Sequence, residues 1–132
     1  MSKTRKQGKG EHWKDEPDEH DFPSAADYLS LLFAEQVTAG LVTALRGAAK
    51  VDRKAEDLLR ASRLPLLAVD NPQVSADLKR VSKGERLSPV LLVRGRGEES
   101  TALIVADGYH RICASYQLDE DADIPCRLVD MP

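Results

Sequence analysis

Residues 105–118 read VADGYHRICASYQL, and the parsing of this stretch decides the fold. An apolar run ends at Ala106, Asp107-Gly108 breaks it as a turn, and a helical pattern resumes and runs to about Leu118. A strand, a tight turn and a helix N-terminus are therefore expected in direct succession. The turn itself needs only part of what it contains. Tyr109, His110 and Arg111 are surplus, and they fall where a helix exposes N–H groups without intrahelical partners. The helix dipole favours negative charge at that end, and a glycine lets the backbone approach a ligand closely. This junction is a ready phosphate site. Gly108 would supply the close approach, Arg111 a bidentate grip, and His110 a donor or a proton carrier near neutral pH. Asp107 can cap the helix, accept a proton, or hold a magnesium ion that bridges phosphates. A plain reading stands beside this: Asp-Gly is a common turn pair, Tyr109 packs, and Arg111 pairs with an acid of residues 119–123.

Outward from the turn, TALIVA (101–106) and PVLLVR (89–94) read as neighbouring strands, joined through Gly95, Gly97 and Glu98-Glu99-Ser100. Further back, Asn71-Pro72 marks a helix opening, and QVSADLKRVSK stops at Gly84. LPLLAV (64–69) is either a short strand or an irregular packed run, and IPCRLV (124–129) is a final strand. The order strand, helix, strand, strand, helix, strand predicts an α+β fold: a small mixed sheet with flanking helices.

Residues 22–63 are expected to be an added N-terminal helical layer. Ser24 and Asp27 resemble a capping box, and Leu29, Leu32, Phe33, Val37, Leu41 and Leu45 form a stripe for one helix over about 24–47. Gly40 weakens its middle and is the expected point of any bend, while Leu31 and Val42 lie off the stripe. DRKAEDLLRA predicts a second helix over 52–61. These helices either cover one face of the sheet or present a surface for a homodimer or another protein partner. Residues 1–21 read as a charged, flexible tail, with Lys3, Arg5, Lys6, Lys9 and Lys14 ahead of five acids and Trp13 almost alone as an apolar residue. Its basic arm is a weak candidate for DNA contact.

With 132 residues and a formal net charge of −3, the chain suits one domain and does not carry an overall nucleic-acid footprint. It has no apolar run of membrane-spanning length and no secretory h-region, so a cytoplasmic protein is expected. Cys113 and Cys126 lack metal spacing and read as reduced thiols, and His12, His20 and His110 are scattered, so no metal site is expected.

Residues 64–129, about half of the chain, resemble the ParB/sulfiredoxin superfamily. Asp107-Gly108-Tyr109-His110-Arg111 is similar to the Gly-Glu-Arg-Arg box of partition ParB proteins and the Gly-Cys-His-Arg box of sulfiredoxins. It is closer to the Asp-Gly-His-His-Arg box of ParB-like free-serine kinases. Asn71-Pro72 resembles the Asn-Pro after the first ParB strand, and Ile124-Pro125-Cys126-Arg127-Leu128-Val129 resembles the superfamily's closing strand.

The resemblance places a ParB/sulfiredoxin-like domain at 64–132 and implies a nucleotide triphosphate or diphosphate, with Mg2+, held by Gly108, Tyr109, His110 and Arg111. It makes Asp107 and His110 the candidate catalytic pair. Tyr109 stands where a sulfiredoxin needs its nucleophilic thiol, and Cys113, one turn later, reads as a small buried residue, so sulfinic-acid reduction is not expected. Three residues follow the last expected strand, so DNA partitioning by this chain alone is not expected either.

Lys79, Arg80, Lys83, Arg86, Arg94 and Arg96 are either a phosphate-facing basic patch or a solvated surface. Tyr116 is core or pocket wall, Asp119, Glu120, Asp121 and Asp123 are an acidic loop, and Asp70 is a further candidate acid. The expected function is a nucleotide-binding ParB-like domain that serves as a binding or regulatory module. Phosphoryl transfer or nucleotide hydrolysis is the alternative, and a nucleic-acid-associated protein or nuclease the third.

Overall fold

A computed structural model describes residues 12–95 and 101–132. The helices are α1 (Asp21–Leu29), α2 (Glu35–Gly47), α3 (Ala55–Ser62), α4 (Pro72–Ser82) and α5 (Tyr109–Leu118). The strands are β1 (Lys50–Lys54), β2 (Val90–Arg94), β3 (Ile104–Asp107) and β4 (Asp123–Asp130). They form one four-stranded sheet in the order β1-β4-β2-β3. β4 runs parallel to β2, while β1 and β3 run antiparallel to their neighbours. The expected α+β class is what the chain adopts.

The period of two along the strands divides the core into two layers. Val90, Leu92, Val105, Ile124 and Cys126 face α3, α4 and α5, where they meet Leu58, Val74 and Ile112. Leu91, Val93, Ile104 and Ala106 face α1 and α2, where they meet Phe22, Leu29, Leu41 and Leu45. β2 is buried on both sides, which explains its unbroken apolar sequence.

α4 forms as its local signals dictate. The Asn71 Oδ1 accepts from the N–H groups of Gln73 and Val74, and Pro72 opens the helix. At the other end the Glu85 N–H reaches the Arg80 carbonyl and the Gly84 N–H the Val81 carbonyl, a Schellman closure with Gly84 at φ +84°.

Four expectations are corrected. The helix over 24–47 is two helices, broken at residues 30–34 rather than at Gly40, which lies inside α2. Ser30 ends α1 by donating its hydroxyl to the Asp27 carbonyl, and the turn lets α1 pack on β3 and α2 on β4. The first helix also begins at Asp21, with no side-chain cap, so the Ser24–Asp27 box does not open it. The start of the expected helix over 52–61 is instead the edge strand β1, whose backbone pairs with β4. Because β1 holds that place beside β4, LPLLAV is not a strand. Its backbone is held by α5 side chains: Tyr109 and Gln117 donate to the carbonyls of Pro65 and Leu67, and the Leu67 N–H donates to the Cys113 sulfur.

Residues 12–20 are also packed, although they were expected to belong to a flexible tail. Trp13 is 6% exposed and pairs with Leu87, whose N–H and carbonyl bond to His12 and Lys14. Glu16 meets Arg127, which also donates to the Leu45 and Arg46 carbonyls at the end of α2. Lys3, Arg5, Lys6 and Lys9, and the 96–100 connection, lie outside the described residues.

Candidate functional site

The DGYHR turn sits where β3 ends and α5 begins, as its sequence implied. Gly108 caps the helix at φ +114°, a backbone that L side chains rarely adopt. A Cβ there would stand 2.4 Å from Val90 Cγ1, so the turn is pressed directly onto β2. Tyr109, His110 and Arg111 occupy the first turn, and the Ile112 N–H makes the helical bond to the Gly108 carbonyl.

The side chains divide into two groups. The Tyr109 hydroxyl donates to the Pro65 carbonyl at 2.5 Å, and its ring lies 5.5 Å from that of His110. Arg111 turns inward, without an acid from the 119–123 loop. Its Nη2 lies 3.0 Å from Asp107 Oδ2, 3.3 Å from the Pro89 carbonyl and 3.9 Å from Asp21 Oδ2. Its Nε is buried and, among the described residues, has no hydrogen-bond partner. Such an orphan donor costs about 1–3 kcal/mol.

Two carboxyl groups near the turn are pushed above their ordinary range. Burial drives Asp107 up, the Arg111 guanidinium opposes it, and the neighbouring Asp21 carboxylate adds to the rise. Burial likewise raises Asp77, against the pull of Arg80, Arg111 and His110. Asp77 is 5% exposed and bonds to Arg80 at 2.8 Å.

Asp21, Asp77 and Ser88 were not singled out from sequence. Asp77 carried a signal, because it lies three residues after buried Val74 on the inner stripe of α4, where a carboxylate is unexpected. Asp21 and Ser88 carried none. They meet only through folding, with the Ser88 hydroxyl 2.6 Å from Asp21 Oδ2. Residues 87–90 thus form a spine: Leu87 holds Trp13, Ser88 holds Asp21, Pro89 holds Arg111, and Val90 supports Gly108.

No family model matches the chain, and neither curated proteins nor solved structures give a match.

The remaining candidates scatter. Asp70 is exposed in the turn before α4. Arg80 is paired to Asp77, while Arg94 is paired to Asp130 at the far end of β2 from the turn, so these cations do not form one patch. Arg96 lies outside the described residues. Tyr116 bonds to Glu120 in the acidic loop. Cys113 and Cys126 are fully buried, and burial pushes both thiols up, Cys126 to about 12. Neither is poised as a nucleophile.

Asp18, His20 and Asp21 bring one ligand atom each within 4.8 Å of one another, but Lys14 already pairs with Asp18 and Ser88 with Asp21. An apolar groove of about 440 Å³ lies at the Ile104 end of β3, lined by Tyr28, Leu32, Phe33 and Leu64 and separate from the DGYHR turn. Among the described residues, no helix is long and apolar enough to cross a membrane.

Proposed function

We propose that the Asp107–Arg111 turn binds the phosphates of a nucleotide, and that the protein is a cytoplasmic binding or regulatory module related to the ParB/sulfiredoxin superfamily. The observation that carries this reading is the buried, unpartnered Nε–H of Arg111 in the first turn of α5. Once Arg111 swings out of its inward position, a phosphate oxygen would satisfy that donor while the first-turn N–H groups receive the remaining charge. His110 borders the same turn and would add a second donor. The likeness of DGYHR to nucleotide-binding boxes supports the same chemistry. Because Arg111 engages the Asp107 carboxylate, magnesium would arrive with the nucleotide rather than be held by Asp107.

A second reading, phosphoryl transfer or nucleotide hydrolysis, draws on the raised Asp107 carboxyl and on the raised Asp77 carboxyl, which feels His110. In that case Asp107 or His110 would move the proton.

Thermal stabilisation by ATP, ADP, CTP and GTP with magnesium tests the first reading. At least one nucleotide should raise the Tm, and both His110→Ala and Arg111→Ala should weaken the effect. Absence of stabilisation by all four refutes the binding reading. Product release from a bound nucleotide, lost in Asp107→Asn, would select the enzymatic one.

A further inference from the structure

The segment that leads into α1, together with the helix's first residue, reaches the same guanidinium. Residues 12–21 cross residues 87–90 through the Trp13–Leu87 pairing and end at Asp21, which is 2% exposed. Asp21 Oδ2 accepts from the Ser88 hydroxyl at 2.6 Å and the Asp18 N–H at 3.1 Å, and lies 3.9 Å from Arg111 Nη2.

Three oxygens therefore crowd one guanidinium nitrogen that carries two hydrogens, while the Nε–H has no acceptor among the described residues. Two of the three belong to carboxylates, whose mutual repulsion opposes their sharing one cation. Asp107 is fixed by its place at the end of β3. Asp21 opens α1 at the end of a segment tied down by the Trp13–Leu87 backbone pairing, by the Lys14–Asp18 pair and by the bond from buried Arg127 to exposed Glu16. At 3.9 Å Asp21 makes the longest of the three contacts to Arg111, and it is the acceptor a phosphate would replace.

We propose that residues 12–21 form a strap over the DGYHR turn and that Asp21 is its internal counter-anion, so that a phosphate engaging Arg111 displaces Asp21 and loosens the strap. This rests on the phosphate-binding reading above and gives that site a built-in competitor. It also gives the bound state an output. The spine couples Asp21 at Ser88 to Trp13 at Leu87, one residue away, so occupancy at Arg111 is felt at the indole.

Trp13 is the single tryptophan of the chain and reports the strap directly. Inorganic phosphate and ATP with magnesium are titrated into wild type, Asp21→Asn and Ser88→Ala, with affinity read by calorimetry and strap position by Trp13 emission. Binding should shift the emission to the red in wild type. Asp21→Asn should bind at least about tenfold tighter, since a like charge is removed from the site. Ser88→Ala, which keeps the charge but loses the 2.6 Å anchor, should bind about threefold tighter, and it carries the test should Asp21→Asn fail to fold.

Binding with unmoved Trp13 emission overturns the strap and leaves the phosphate site standing. Affinities of both variants within twofold of wild type do the same. Absence of binding by every folded variant overturns the strap and the phosphate site together.

Discussion

Gly108→Ala is the sharpest probe of the turn, because two separate penalties meet there. The first is backbone strain: φ is +114°, and holding an L residue in such a region costs about 1–3 kcal/mol. The second is crowding. The new Cβ would stand 2.4 Å from Val90 Cγ1 and 2.8 Å from Val90 Cβ, and Val90 is fully buried in a strand covered on both faces. Overpacking of that kind costs about 1–3 kcal/mol. The sum is about 2–6 kcal/mol, a large share of the 5–15 kcal/mol typical of a domain.

Gly84→Ala is the matched control. It also has positive φ, at +84°, but nothing lies within 4 Å of its Cβ position. Its cost should be strain alone, about 1–2 kcal/mol. Urea unfolding followed by Trp13 emission and far-ultraviolet circular dichroism gives both values. Val90→Ala should recover part of the Gly108→Ala loss in the double variant, with a coupling of about 0.5–3 kcal/mol. If Gly108→Ala costs no more than Gly84→Ala, the close approach of turn to sheet described here is wrong.

Two other outcomes follow from burial. The raised Asp77 carboxyl means that the folded state holds this proton more tightly than the unfolded chain does. Its contribution is full below the ordinary carboxylate value, about pH 3.9, and is lost as pH rises through the higher folded value. The stability of Asp77→Asn relative to wild type should therefore increase from pH 4 to pH 7, and a flat difference in urea midpoints would contradict this assignment. Separately, Cys113 and Cys126 should resist a thiol reagent at pH 8 in the native protein and react at once in guanidinium, and fast native labelling of either would disprove the packing of α5 or β4.

The elements legible in the sequence are those with local punctuation. Asn71-Pro72 and Gly84 bracket α4 within a residue or two, and Asp107-Gly108 separates β3 from α5. β1 was illegible because KVDRK is charged and entirely exposed, and becomes a strand through its pairing with β4. LPLLAV failed in the opposite way, having strand-like composition but no place in the sheet. The break at residues 30–34 was hidden because Leu29, Phe33 and Val37 keep helical spacing across it, although the two helices turn onto different strands.

The site divides along the same line. The contiguous turn could be read, and its position at a strand–helix junction followed from the pattern. Its surroundings could not, since Asp21 and Ser88 meet across 67 residues and Asp77 belongs to another helix. Only Asp77, a carboxylate on an apolar stripe, left a trace.

The place of β4 in the sheet bears on how the chain is made. Of the four described strands it leaves the ribosome after the others, yet it lies between β1 and β2, the one it pairs with antiparallel and the other parallel. Synthesis proceeds from the N-terminus at about 5–20 residues per second. For several seconds β2 therefore offers the nascent chain an open edge of valine and leucine, with only β3 to pair with, while β1 waits without a neighbour. Arg127 arrives with β4 to close the end of α2 and fasten Glu16. A nascent chain stalled before residue 123 would present just that edge, and it should recruit chaperones far more strongly than one stalled after β4 has emerged.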